Sequence, residues 1–207
     1  MGCPLRTTFR LLCLLSIACF LSISCQDDSR LAPVISQSKY FAESDQTVKG
    51  EFLLFFERYG GLVSLGPPLT GEIKAEGWRL QYFEKGRLEY HPENEAAYRI
   101  TVGWLGDSMN RRRPPITVSA LPPPDTPGQH YFFESGHTLS GDFLKYFENN
   151  GGTVRFGLPI SEPFLLDGRL TQDFQSARFF WTPQLTPSVS LENTGQIYWD
   201  KLKFEAK

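Results

Sequence analysis

The sequence predicts an α+β protein of two tandem copies of one unit, each a short amphipathic helix followed by a small antiparallel β-meander. Three observations carry this expectation. First, residues recur at a constant spacing of 91: Tyr40/Tyr131, Phe41/Phe132, Gly50/Gly141, Phe52/Phe143, Phe56/Phe147, Gly60/Gly151, Gly66/Gly157, Pro68/Pro159, Gln81/Gln172, Phe83/Phe174 and Arg87/Arg178 match without a gap, the mark of a duplicated unit. Second, Phe52, Phe55, Phe56 and Tyr59 fall at i, i+3, i+4 and i+7, one face of a helix. Third, short apolar segments are divided by Glu76-Gly77, Lys85-Gly86 and Asp167-Gly168, dipeptides that suit hairpin turns.

In chain order, Arg6 and Arg10 precede the apolar run Leu11 to Ile23, which ends at Ser24-Cys25. A positive start, a short apolar stretch and small residues at its end describe a signal peptide over 1–24. The run falls short of the roughly 20 apolar residues of a comfortable membrane span. Ser22-Ile23-Ser24-Cys25 resembles a lipoprotein cleavage site, with Ser22 where Leu is usual, and Cys25 is the expected lipidation residue. Ordinary secretion and an uncleaved anchor are the alternatives. Residues 25–39 are polar and aperiodic, a tether.

The first copy spans 40–110. Thr47 is the expected cap of its helix and Gly60-Gly61 its stop, where the left-handed conformation open to glycine is needed. A Gly66-Pro67-Pro68 turn leads to strands near Glu72–Ala75, Trp78–Glu84 and Arg87–His91, and Tyr98–Leu105 alternates as a closing strand. The stretch 111–130 is rich in proline and reads as a semi-rigid spacer, with Arg111, Arg112 and Arg113 as its solvated start. The second copy, 131–207, repeats the pattern with Thr138 as cap, Gly151-Gly152 as stop and Gly157-Leu158-Pro159 as turn. Its tail drifts in sequence but keeps Ile197, Tyr198, Trp199 and Leu202.

Gly-Gly followed by Val63-Ser64-Leu65-Gly66-Pro67-Pro68, and again by Val154-Arg155-Phe156-Gly157-Leu158-Pro159, resembles the LGFP-type repeat of exported bacterial cell-envelope proteins. The resemblance covers most of the chain after the tether, although both signatures are variants and a spacing of 91 is long for that family. It implies a non-catalytic module held at the outer face of the membrane through its lipid anchor, with peptidoglycan or another wall polysaccharide as partner.

Composition narrows the chemistry. A formal net charge of −2 argues against nucleic acid as the main partner. All four cysteines lie within the first 25 residues, so the repeats hold neither a disulfide framework nor a Cys nucleophile. His91, His130 and His137 have no second histidine at metal-ligand spacing and read as surface or turn residues. No metal or cofactor is expected. The carboxylates retained in both copies, Glu43/Glu134 and Glu57/Glu148, raise a hydrolase using an Asp/Glu pair. A structural reading is preferred, with the first pair beside a helix start and the second bonding a turn amide or pairing with Arg87 and Arg178. Positions that differ between copies are the expected exposed ones. Trp78 and Tyr82, replaced by Arg169 and Asp173, are therefore the candidate ligand-binding residues, with packing against the partner copy as the other reading. A surface scaffold or protein-interaction lipoprotein stands as the alternative function.

Overall fold

The computed structural model describes residues 37–206 except 118, 120–122, 124 and 125. The signal peptide, Cys25 and most of the tether lie outside the described residues. Among those described, no helix is long and apolar enough to cross a membrane.

The class is α+β, with six helices and four small antiparallel sheets among the described residues. In the first copy, strands β1 (Ser38–Phe41) and β2 (Gln46–Lys49) form a hairpin that leads into helices α1 (Gly50–Arg58) and α2 (Gly61–Ser64). Strands β3 (Ile73–Ala75), β4 (Trp78–Phe83), β5 (Gly86–Tyr90) and β6 (Ile100–Val102) then make a meander, and the one-turn helix α3 (Leu105–Ser108) follows. The same order returns as β7 (Gln129–Phe132), β8 (His137–Ser140), α4 (Gly141–Asn149), α5 (Gly152–Phe156), β9 (Phe164–Leu166), β10 (Arg169–Asp173), β11 (Arg178–Trp181), β12 (Val189–Leu191) and α6 (Thr194–Glu205).

Each copy's core is a stack of aromatic rings between its helix and its meander. Phe56 stacks on Phe83 with ring centres 5.4 Å apart and meets Phe41 edge-on; Phe147 does the same with Phe174 at 5.7 Å and with Phe132. Burying each such ring contributes about 2–3 kcal/mol, so these repeated phenylalanines are the main cohesion of each unit. The second copy adds Phe156 and Phe179 where the first has Leu65 and Leu88, all four fully buried. The retained glutamines join hairpin to meander. Gln81 Nε2 donates to the carbonyls of Thr47 and Thr70, and Gln172 Nε2 to those of Thr138 and Ser161. The Gln-x-Phe pattern is thereby explained, one residue cross-linking and the other packing.

Several expectations are corrected. The helices begin at Gly50 and Gly141, after Lys49 and Ser140, without a side-chain cap. Thr47 and Thr138 sit in β2 and β8, and Glu43 and Glu134 occupy hairpin turns rather than the approach to a helix. These hairpins escape a reading of periodicity because each buries only one residue on its first strand, Phe41 or Phe132, too little alternation to register. The glycine stops hold: Gly60, Gly61, Gly151 and Gly152 all have positive φ.

The start of the proline-rich stretch is not a solvated linker. Arg111 Nη1 lies 2.6 Å from Glu192, Arg112 pairs with Asp107, and the Arg113 amide donates to the Ile160 carbonyl while its guanidinium covers Phe164 at 3.7 Å. Segment 105–113 thus leaves its own meander and packs on the second copy. The reciprocal crossing is made by α6, whose Gln196 amide donates to the Glu84 carbonyl and whose Trp199 packs on Tyr82 at 4.9 Å. Each copy covers the sheet of the other.

Candidate functional site

Where the copies meet, α1 and the stretch 96–104 of the first copy face the start of α5 across a groove of about 600 Å³. Its exposed rim carries Leu54, Tyr98 (61 % exposed), Trp104 (58 % exposed) and Val154. Helix periodicity places Leu54 and Arg58 one turn apart on the outer side of α1, away from the aromatic core. The 3₁₀ turn Ala96–Tyr98 raises Tyr98 over the opposite wall. Large apolar surfaces left in water are the informative exception on a soluble protein.

The groove belongs to one copy's divergence. Leu54, Arg58 and Tyr59 correspond to Lys145, Asn149 and Asn150 at the constant spacing of 91. The spacing then shortens to 89, because α3 begins at Leu105 and α6 at Thr194. With that adjustment Trp104 faces Asn193. A fixed spacing sets Trp104 against Gly195 and hides the contrast. The Leu54/Lys145 and Tyr59/Asn150 differences were visible signals.

The four sequence-derived candidates do not converge. Trp78 is part-exposed, beside Lys74, Arg79, Tyr90 and Pro92 in a second depression of about 460 Å³, and packs at a tilt against His91 with ring centres 4.3 Å apart. Tyr82 is buried under Tyr198 and Trp199 of α6, so its packing against the partner copy is the reading that holds. Arg169 is exposed over the Phe180 ring at 3.9 Å. Asp173 is buried and clamps Arg178 through both carboxylate oxygens, at 2.6 and 3.1 Å.

The retained arginines explain why buried positions vary. Arg87 bonds Tyr82 Oη at 3.0 Å, and its Nε lies 2.8 Å from Glu89; Arg178 pairs instead with Asp173 and Glu192. The neutralising carboxylate has moved along the sheet, so Tyr82/Asp173 is compensation around a retained cation. Burial opposes the charge on Arg87, but Glu89 and the Tyr82 hydrogen bond outweigh it and raise its pKa. Neither arginine reaches Glu57 or Glu148, which are exposed on the helices; Glu57 meets Lys39 at 3.8 Å.

His130 is exposed, as its surface reading expects, whereas His137 and His91 depart from it. His137 is fully buried between Glu162 and the Arg113 carbonyl, each 3.2 Å away. His91 lies between Glu89 at 3.0 Å and Glu93 at 2.9 Å. Burial works against its charged form, yet these hydrogen bonds and the carboxylate charges raise its pKa above the ordinary 6.5. A raised folded-state pKa contributes stability in full below the unfolded value and loses it as pH climbs through the folded one. The stability difference between wild type and His91→Gln is therefore expected to be larger at pH 5.5 than at pH 9. The imidazole titration followed by NMR should have its midpoint above 6.5; equal differences at both pH values would contradict the pairing.

Among the described residues no group of three or more His, Cys, Asp or Glu side chains could hold a metal ion. Comparison with known protein families and with curated proteins finds no match.

Proposed function

We propose that the chain is an exported, lipid-anchored, non-catalytic module that binds cell-envelope glycan in the groove between its two copies. The observation that carries this reading is the exposed Trp104 and Tyr98 on a groove where Leu54, Tyr59 and Trp104 stand in place of Lys145, Asn150 and Asn193 of the other copy. A flat aromatic face covers the apolar side of a sugar ring, while neighbouring arginine and hydroxyl groups bond its hydroxyls. Arg58, Arg99, Thr101 and Thr153 supply such groups along the walls. The hydrolase reading lacks a comparable support, since Glu43 and Glu134 stand in hairpin turns and the buried Glu89 and Asp173 are each committed to an arginine.

Retention of the intact protein on insoluble cell-wall material, with soluble wall fragments competing it away, is the expected result. Trp104→Ala should weaken retention by about tenfold or more, in the range of a central aromatic contact. Retention that soluble glycan does not compete would favour the scaffold reading, and no retention would sink the glycan reading. The anchor is tested separately. Cys25→Ser should move the protein from the membrane fraction to the soluble fraction, because an acylated first residue is the attachment; continued membrane association would count against lipidation at this cysteine.

A further inference from the structure

The second copy differs from the first at three positions that gather under one segment. Gly136, His137 and Glu162 stand where the first copy has Asp45, Gln46 and Gly71. They lie beneath the strap of residues 111–116 that continues from α3 across the second copy. The Ile116 amide donates to the Gly136 carbonyl at 3.0 Å, and a Cβ on Gly136 would stand 2.5 Å from that of Pro115. Glycine is therefore needed there, and the aspartate of the first copy would obstruct such a strap. His137 is fully buried, with Nε2 3.2 Å from the Arg113 carbonyl oxygen and Nδ1 3.2 Å from Glu162 Oε1. The seat of the strap belongs to the second copy alone.

Both neighbours of the His137 ring are acceptors. A neutral imidazole has one N–H and satisfies only one of them, whereas the imidazolium donates to both. Glu162 is itself held ionised. Burial favours its neutral acid, but bonds from His137, the Thr138 hydroxyl and the Thr138 amide outweigh it and lower its pKa. The remaining charges around the strap are committed elsewhere: the Arg113 guanidinium lies on Phe164, Arg111 pairs with Glu192, Arg112 with Asp107, and Arg178 with Asp173 and Glu192. Among the described residues Glu162 is thus the one charged group bonded to the ring. A carboxylate is a stronger acceptor than a carbonyl, so it keeps the Nδ1 proton when the ring gives one up. The proton lost is then the one at Nε2, and two lone pairs face each other across the contact with Arg113.

We infer that His137 is a proton-operated clasp: as imidazolium it fastens strap 111–116 to the second copy, and loss of its Nε2 proton frees the Arg113 carbonyl and loosens the strap. Because the strap runs from α3 of the first copy, the tie between the copies answers to the pH of the medium, in the range where histidine ordinarily changes charge. A docked state that favours the protonated ring is held most strongly at low pH and weakens as pH rises through the ring's titration. The clasp is independent of what the groove binds.

The test is NMR of the intact, isotopically labelled protein in non-ionic detergent. At pH 5.5 both His137 ring nitrogens are expected to carry protons, and at pH 8.5 only Nδ1. Over the same range the hydrogen-exchange protection of the Arg113 and Ile116 amides should fall about tenfold or more, the scale of one lost charge-assisted hydrogen bond, while the amides of the β1–β2 hairpin keep theirs. His137→Gln, which installs the first copy's residue, should abolish this pH dependence, and His91→Gln should leave it intact. Glu162→Gln removes the carboxylate beside Nδ1 and should move the loss of protection to lower pH. A wild-type ring already neutral at pH 5.5, still doubly protonated at pH 8.5, or keeping its last proton on Nε2 would overturn the clasp. Strap amides equally protected at both pH values, or losing protection to the same extent in His137→Gln, would overturn it as well.

Discussion

Gly106→Ala and Gly195→Ala are each expected to destabilise the protein by about 3 kcal/mol or more, among the largest effects of any single methyl group in the chain. A Cβ at Gly106 would stand 2.1 Å from the Phe174 carbonyl oxygen, and one at Gly195 would stand 2.0 Å from that of Phe83. Both obstacles are backbone atoms, which cannot swing aside as a side-chain end can. These glycines are the points at which α3 and α6 meet the opposite copy, where the Gly106 amide also donates to the Gln175 carbonyl at 2.7 Å. Gly71→Ala is the control: its nearest neighbour is the Gln46 side-chain oxygen at an ordinary 3.6 Å, so a change within about 0.5 kcal/mol is expected. Urea unfolding followed by tryptophan fluorescence and by far-ultraviolet circular dichroism should give coincident single transitions, because each copy's sheet is closed by the other's helix. Gly106→Ala and Gly195→Ala variants as stable as Gly71→Ala would show that the crossing segments do not dock as described.

Arg155→Ala is expected to cost about 3–5 kcal/mol. This arginine is fully buried, and burial pushes its pKa down to about 10, so it remains charged at neutral pH. Among the described residues it has no carboxylate partner. Its Nε donates to Ser64 Oγ at 2.8 Å and its Nη2 to the Ser64 carbonyl at 2.6 Å, and the guanidinium lies 5.0 Å from the centre of the Phe156 ring. Ser64 and Arg155 are equivalent positions in the two copies, so the guanidinium replaces a like-with-like contact at their junction. Removing it strands the buried acceptors of Ser64 and opens a cavity at the same time. Arg155→Met keeps more of the volume and should lose less. A double-mutant cycle with Ser64→Ala should return a coupling of about 1–3 kcal/mol in urea unfolding. Arg155→Ala within about 1 kcal/mol of wild type would mean that the guanidinium does not occupy the junction.

Retention in both copies marks shared packing but not the role of each side chain: the retained Thr47/Thr138 and Glu43/Glu134 belong to the hairpins, not to a helix start. Phe83/Phe174 are buried and the glycine pairs take positive φ in both copies, and the retained Gln81/Gln172 make the same cross-link in each. The difference between Tyr82 and Asp173 predicts exposure, whereas both side chains are buried. Arg87 and Arg178 are retained, but their acids are Glu89 and Glu76 in one copy and Asp173 and Glu192 in the other. A buried network can change several members together and stay neutral, so variation alone does not report exposure. The groove was missed for a related reason: Trp104 and Asn193 correspond only after a loop two residues shorter has changed the spacing.

Local order followed from the chain's own pattern. The aromatic stripe of α1 and α4, the left-handed glycines that end them and the hairpins of each meander depend on residues a few positions apart, whose periodicity and turn preferences are written in adjacent sequence. The exchange of α3 and α6, the carboxylate-free burial of Arg155 and the groove between α1 and the start of α5 rest on contacts between residues tens of positions apart. Sequence spacing carries no distance over such lengths. Packing chooses which of many mutually compatible side chains meet, and that choice exists only once both copies are folded against each other.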